Sequence, residues 1–258
     1  MKYKEYNDFI ERILREAGTI LQTGFEKQHT IEFKGDIDLV TEIDKLSEEY
    51  LISEIRKNYP SHKIYSEESV RDAVDAPVLW LIDPLDGTTN YSHNYPFFSV
   101  TVALVINGEV VAGGVYAPFT DELFLASKGD GAYLNGRKIE VSKVAPLKKS
   151  LLITGFPYNF PATQCNMMEF NSFLVATQGV RRDGSAALDL CLVAAGRADG
   201  FWEPSLNPWD CAAGFLLVEE AGGKVTDYKG IHFSPFVKTI VASNGKIHEE
   251  MLQVIGCV

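Results

Sequence analysis

Several things are scarce in this chain, and each scarcity closes off a class of protein. Only four cysteines occur in 258 residues, at Cys165, Cys191, Cys211 and Cys257, unevenly spaced and with no C-x-x-C pair. That spacing excludes a disulfide framework and fits free thiols in a reducing compartment. Basic residues are in deficit, 24 Lys plus Arg against 35 Asp plus Glu, for a net charge of −11. A nucleic-acid surface needs clustered positive charge, so no nucleic-acid partner is expected. No apolar run approaches the roughly 20 residues of a membrane span. The start, Met-Lys-Tyr-Lys-Glu, leads directly into an amphipathic pattern without a signal-peptide core, so the expectation is a cytoplasmic protein with no membrane association. Internal repeats and low-complexity tracts are absent. Gly129-Asp130-Gly131 begins a glycine pattern but leads into a hairpin, which excludes a dinucleotide-binding loop. The Asn90-Tyr91-Ser92 glycosylation acceptor lacks a secretory context. What remains, with 46% hydrophobic and 23% charged residues, is a globular chain long enough for a substantial core.

Periodicity organises that core. Phe9, Ile10, Ile13, Leu14, Ala17, Ile20 and Leu21 recur at helical intervals, predicting one long amphipathic helix over Tyr6 to Phe25. Lys34 to Val40 reads as a polar link. Thr41 then caps a helix from Glu42 to Asn58, with Ile43, Leu46, Tyr50, Leu51 and Ile55 facing inward. Lys63 to Ser66 is a short strand running into Glu67 and Glu68. An antiparallel meander follows from Phe98, punctuated by the tight turns Asn107-Gly108 and Asn135-Gly136. Val141 to Lys149 is more polar and holds Pro146, which suggests a boundary between an N-terminal α+β part, 1–145, and a C-terminal α/β part, 146–258, together forming one unit. In the second part helices are expected at Pro161 to Thr177, from Gly184-Ser185-Ala186 onward, and from Pro208-Trp209-Asp210 to Ala221. Strands alternate with them at Leu151, Gly179, Trp202-Glu203, Val225 and Thr239, and a closing helix runs over Ile247 to Val254.

The chemistry concentrates between Trp80 and Asn90, W-L-I-D-P-L-D-G-T-T-N. A fully apolar strand ends in two aspartates, Asp83 and Asp86, with Pro84 stiffening the link between them. Gly87 allows a ligand to approach the backbone, and Thr88 and Thr89 add hydroxyls. Two carboxylates held stiffly at a strand end suit a small hard cation such as Mg²⁺, which takes oxygen ligands in near-octahedral order. Taken singly, each acid also has an ordinary explanation. Asp-Pro and Asp-Gly are turn formers, Asp44 and Asp210 sit in first helical turns where the dipole favours a carboxylate, Glu67-Glu68 reads as a solvated pair, and Ser185 as an N-cap.

The string D-P-L-D-G-T-T after an apolar strand resembles the signature of the inositol monophosphatase family, within the Mg²⁺-dependent, lithium-sensitive sugar phosphatases. D-L-V-T-E-I-D (Asp38 to Asp44), S-E-E-S around Glu67, G-S-A-A at Gly184 and W-D at Trp209-Asp210 resemble its other motifs, in family order along nearly the whole chain. The resemblance implies a layered αβαβα sandwich, an N-terminal antiparallel sheet joined to a mixed α/β half. It implies hydrolysis of a phosphate monoester, myo-inositol monophosphate first, by metal-activated water with no phospho-enzyme. Two or three Mg²⁺ would be held by Glu67, Asp83, the carbonyl of Leu85, Asp86 and Asp210. Thr88, paired with Asp44, would orient the water and take its proton. Gly87, Thr88 and Thr89 would hold phosphate, while Gly184, Ser185, Ala186 and Glu203 would line the alcohol. Lys34 matches a lysine of the family's metal-site loop. Homodimerisation and lithium inhibition are further implications. A broader sugar phosphatase, including fructose-1,6-bisphosphatase, is the alternative, with Arg181 and Arg182 as candidates for a second phosphate. A third reading is an interaction protein for transcription machinery.

Overall fold

The computed structural model describes residues 3–25, 31–33, 39–157 and 165–256. Helix α1 spans Lys4–Gly24 and buries Phe9, Ile10, Ile13, Leu14, Ala17 and Leu21, the expected stripe. A short antiparallel hairpin follows, β1 (Ile31–Phe33) with β2 (Leu39–Thr41). Residues 34–38 of the expected polar link, including Lys34, lie outside the described residues; from Leu39 onward the segment is strand, and Thr41 closes β2. Helix α2 is Glu42–Asn58, as expected.

One expected inward residue of α2 is outside. Leu46 is 49% exposed. The buried positions are Ile43, Asp44, Ser47, Glu48, Leu51, Ile52 and Ile55. At 100° per residue, Leu46 stands on the opposite side of the helix from that stripe. The inward face of the first turns is polar, so counting apolar residues misplaces it.

Among the described residues the remaining strands form two sheets. The larger, seven-stranded sheet runs in sequence order: β3 (Lys63–Ser66), β4 (Val78–Asp86), β5 (Ser99–Ile106), β6 (Glu109–Ala117), β7 (Glu122–Ser127), β8 (Gly131–Leu134) and β9 (Arg137–Lys138). Strand β3 is parallel to β4 and every later pairing is antiparallel. The turns Asn107-Gly108 and Asn135-Gly136 have positive φ at both residues, 51° and 80°, then 47° and 75°. That is the geometry whose twist matches the flanking strands.

The five-stranded sheet has the order β11 (Gly179–Arg181), β10 (Leu151–Thr154), β12 (Gly200–Pro204), β14 (Thr239–Ser243), β13 (Lys224–Thr226). The other helices are α3 (Thr88–Ser92), α4 (Met167–Ala176), α5 (Ala186–Ala194), α6 (Pro208–Glu220) and α7 (His248–Ile255). Helix α4 begins later than the expected Pro161, after Asn166 in a left-handed conformation (φ 72°), and 158–164 lie outside the described residues.

Alternation of side chains across each strand stacks these elements into layers. From β4, Trp80 and Ile82 pack with α1 and α2, while Leu79 and Leu81 join α5 and α6. From β12, Phe201 joins that same central cluster, and Trp202 faces Phe173 of α4 and Met251 of α7. The order is therefore helices, seven-stranded sheet, helices, five-stranded sheet, helices: the layered αβαβα sandwich. Helix α6, caught between two sheets, is apolar nearly all round, with Trp209, Cys211, Ala212, Phe215, Leu216 and Val218 buried. No helix among the described residues is long and apolar enough to cross a membrane.

Candidate active site

The ends of β3, β4 and β12 and the first turns of α3, α5 and α6 meet around a cavity of about 170 Å³. Glu67, Asp83, Leu85, Asp86, Gly87, Thr88, Thr89, Gly184, Ser185, Ala186, Glu203 and Asp210 all line it. These residues, expected to hold metal or substrate, thus line a single cavity. Asp44 stands directly behind, fully buried, with Thr88 Oγ1 3.1 Å from its Oδ1.

Local chain geometry explains the convergence. Residues three apart on a regular strand point to opposite faces. Between Asp83 and Asp86 the pairing slips: Asp83 is opposite Thr101 and Asp86 opposite Ser99, so β4 carries one extra residue there. The resulting bulge turns both carboxyls toward the same cavity. Gly87 follows at φ 94°, and a Cβ there would stand 3.1 Å from the Phe97 carbonyl oxygen.

Asp83, Asp86 and Asp210 are each gripped by their surroundings. Asp83 Oδ1 accepts the Leu85 N–H at 3.0 Å. Asp86 Oδ2 accepts from Ser185 Oγ at 2.5 Å and from the Ala187 N–H at 2.9 Å, tying β4 to the start of α5. Asp210 Oδ2 accepts the Asn207 N–H at 2.7 Å as half of a capping box, so its helix-starting role and its place in the cavity coexist. The Glu67 backbone donates to the Ile82 carbonyl at 3.1 Å. Thr88 Oγ1 is 3.0 Å from the Leu85 carbonyl as well as close to Asp44. Its single hydrogen serves one of them, and a carboxylate is the stronger acceptor.

Electrostatically the site is overloaded with negative charge. Burial, then Glu67, Asp86 and Asp210, push the Asp83 carboxyl well above the ordinary range. Asp210 is pushed well up by burial and Glu67, Asp86 to about 6 by burial, and Glu203 to about 8 by burial and Asp86. Hydrogen bonds from Ser185 and Ala187 act against that burial at Asp86 and lower its pKa.

Sequence reasoning missed several supporting residues. Ser47 Oγ donates to the Pro84 carbonyl at 2.9 Å. Glu48 Oε1 accepts the N–H groups of Glu68 (3.0 Å) and Ser69 (3.1 Å), and Oε2 the Ser69 hydroxyl, which fixes the loop carrying Glu67. The Arg71 guanidinium donates to the Glu67 carbonyl and lies 4.5 Å over the Trp209 ring, bridging that loop to α6. Gly155 leaves room for Glu203, since a Cβ would come 2.3 Å from its Oε1. Asp189 also lines the cavity. A readable signal existed for Asp44, Ser47 and Glu48, whose i, i+3, i+4 spacing puts them on one helix face. Of the two arginines considered for a second phosphate, Arg182 lines the cavity, whereas Arg181 Nη1 donates to its neighbour's carbonyl on Val180.

Residues 2–257 match the inositol monophosphatase family. The chain is 47% identical over 243 residues to an inositol-1-monophosphatase of Synechocystis sp., covering 93% of this chain and 85% of that protein. It is 43% identical over 247 residues to the Nus factor SuhB of Escherichia coli (strain K12), covering 93% and 92%. Among solved structures, an inositol monophosphatase from Anabaena (Nostoc) sp. PCC 7120 superposes with a TM-score of 0.92 at 43% identity, covering 100% of this chain and 98% of that one. Layered sandwich and acid-lined cavity together define a phosphoric monoester hydrolase. The chain belongs to the inositol monophosphatase family.

That family is generally metal-dependent. The donor set here fits a hard divalent ion: four acidic residues and Leu85 line one cavity, and the repulsion that raises Asp83 is what a cation relieves. Among the described residues no three His, Cys, Asp or Glu side chains already stand as a closed ligating group. The carboxyls of Asp83, Asp86 and Asp210 are held in place by Leu85 of the same strand, by Ser185 at the start of α5 and by Asn207 at the start of α6.

Proposed function

We propose that this chain hydrolyses myo-inositol monophosphate to inositol and phosphate. The observation that carries the reading is the convergence of Glu67, Asp83, Asp86 and Asp210 on one cavity that is lined also by Glu203 and by Thr88, itself paired with Asp44. Two or three Mg²⁺ held by those four carboxylates and the Leu85 carbonyl would supply positive charge to the phosphate oxygens and lower the pKa of a bound water. Thr88 orients the attacking water and accepts its proton while passing its own to Asp44, since a threonine hydroxyl is too weak a base alone. Backbone N–H groups of Gly87, Thr88 and Thr89 bind the phosphate oxygens. Gly184, Ser185 and Ala186 line the alcohol, and Glu203 accepts one of its hydroxyls. Water attacks phosphorus directly, without a phospho-enzyme. The working unit is a cytoplasmic, lithium-sensitive homodimer whose two parts, 1–145 and 146–258, share the site.

Arg182 on the cavity wall favours a second reading, a broader sugar phosphatase that also takes fructose 1,6-bisphosphate. The SuhB name of similar proteins favours a third, a protein partner in transcription, tested by enrichment of polymerase components in a pull-down. The deciding measurement is kcat/KM for inositol 1-phosphate against fructose 1,6-bisphosphate, with Mg²⁺ and after EDTA. Preference for the inositol ester, lost with EDTA, is the expected outcome. Strong preference for the bisphosphate replaces the first reading by the second, and activity unaffected by EDTA removes the metal from both.

A further inference from the structure

Helix α5 begins with residues already placed at the cavity, and its next turn brings another. Asp189 lies three residues after Ala186 and four after Ser185, so all three share one side of the helix. Its side chain lines the cavity and is 1% exposed. Among the described residues neither of its carboxyl oxygens has a hydrogen-bond partner. In this it differs from Asp83, Asp86 and Asp210, each gripped by an N–H donor. Buried carboxyls without partners are rare in folded proteins, because their desolvation is uncompensated. One facing a binding cavity is explained most economically by a ligand that completes it.

The surroundings say what kind of ligand group. Burial, with Asp183, Glu203 and Asp86 nearby and only Arg182 opposing, pushes Asp189 well above the usual carboxylate range. A carboxyl raised in this way gains O–H donor character beside its acceptor oxygens, and an alcohol hydroxyl, which both donates and accepts, pairs with it in either form. A phosphate dianion would instead meet repulsion from the neighbouring acids.

We propose that Asp189 is a specificity-determining residue that reads a ring hydroxyl of the alcohol, directly or through one ordered water, so that the site selects phosphate esters of cyclic polyols over esters of simple or aromatic alcohols. The proposal rests on the phosphatase reading above and extends its alcohol side beyond Glu203.

The test compares wild type with Asp189→Leu and Asp189→Asn, on inositol 1-phosphate and on p-nitrophenyl phosphate, which has no hydroxyl to read, with Mg²⁺ present. Leucine is close in size and leaves nothing unpaired, so this variant should melt no lower than wild type. It should lose at least about tenfold in kcat/KM on inositol 1-phosphate, mostly through KM, and less than about twofold on the aromatic ester. Asparagine keeps a donor and an acceptor and should stay within about threefold on both. An unchanged ratio of the two kcat/KM values in Asp189→Leu overturns the proposal. If the leucine variant fails to fold, Asp189→Ala takes its place: loss confined to the inositol ester supports the proposal, and an unchanged ratio of the two kcat/KM values overturns it. A wild type inactive on both substrates would mark failure of the phosphatase reading itself, which is a different result from an unchanged ratio.

Discussion

The two walls of the cavity are built on opposite plans. On the wall formed by β3, β4 and the start of α6, the aspartates are fixed by N–H donors within a few residues or across the α5 junction, and the Glu67 loop is tied down by Glu48 and Arg71. On the wall formed by α5 and β12, Glu203 leans against Gly155, and among the described residues Asp189 has no hydrogen-bond partner. The first arrangement is complete before any ligand arrives. The second leaves the Asp189 carboxyl to be completed by one. Reaction chemistry requires charges aimed in advance at where charge will develop, because reorienting them during the step would consume the gain. Recognition tolerates, and even uses, groups that are satisfied only by the right partner.

If the first wall is where the chemistry resides, the largest effect should come from its most surrounded acid. Asp83→Asn keeps the shape of the side chain and the acceptor for the Leu85 N–H while removing the charge. Mg²⁺-dependent phosphatase activity should fall by on the order of 10³-fold or more. The melting temperature should hold or rise, because the substitution also removes repulsion from Glu67, Asp86 and Asp210. A variant retaining near-wild-type turnover would remove Asp83 from the reaction and level the contrast between the walls.

A smaller effect, on stability, separates the metal-free from the metal-loaded protein. Asp83, Asp86, Glu203 and Asp210 all have folded pKa values raised above their ordinary ones. For an acid shifted upward, the folded state binds more protons, so stability is fully present below pH about 4 and lost as pH rises through the folded values. For Asp86 and Glu203 those are about 6 and about 8. His248 sets the opposite limb. It is buried between the hydroxyls of Thr226 and Ser243, with a pKa lowered to about 4. Its contribution is present above pH about 6.5 and is lost as pH falls toward 4. In EDTA the melting temperature should therefore peak in mildly acidic solution and decline by pH 8. Millimolar Mg²⁺, by binding the ionised cluster, should raise it more at pH 8 than at pH 5.5. Equal stabilisation at both values would mean that the ion does not meet these carboxylates.

How much of this was readable beforehand follows from how local each feature is. The apolar run of β4 ending in Asp83 and Asp86, the Asn-Gly hairpins and the Pro208 helix start are written in contiguous residues, and the folded chain has them where periodicity and turn chemistry put them. The bulge that turns Asp83 and Asp86 to the same side was not readable, because it is a matter of pairing register with β5. Leu46 was misplaced for a related reason: the inward face of α2 is occupied by Asp44, Ser47 and Glu48, and a search for apolar stripes cannot see a polar one. Arg71 over Trp209 joins residues far apart in the chain, and only the fold brings them together. Asp189 was closest to being legible, since Ser185, Ala186 and Asp189 fall on one helical face, but its missing partners can be recognised only in three dimensions.

The smallest effect expected is also the one that best sharpens the idea of a wall organised in advance. Glu48 acts on the loop after Glu67, which it holds through two N–H groups and the Ser69 hydroxyl. Glu48→Gln keeps one acceptor oxygen for the two amides but loses the charge that strengthens those bonds, and the serine hydroxyl must reverse to accept from the new amide. The loop should stay in place on average and fluctuate more. An outer partner of a metal ligand typically contributes about 10–100-fold in metal affinity when deleted. A conservative change should therefore raise the Mg²⁺ concentration for half-maximal activity by roughly three- to tenfold, with turnover at saturating Mg²⁺ within about twofold of wild type. Titrating activity, and in parallel the fluorescence of Trp209, which the same loop touches through Arg71, reads the affinity in two independent ways. A fall in saturated turnover with the half-maximal Mg²⁺ concentration unmoved would show that Glu48 acts on the reaction instead of on the readiness of the site, and the distinction between a prepared wall and a waiting one would have to be redrawn.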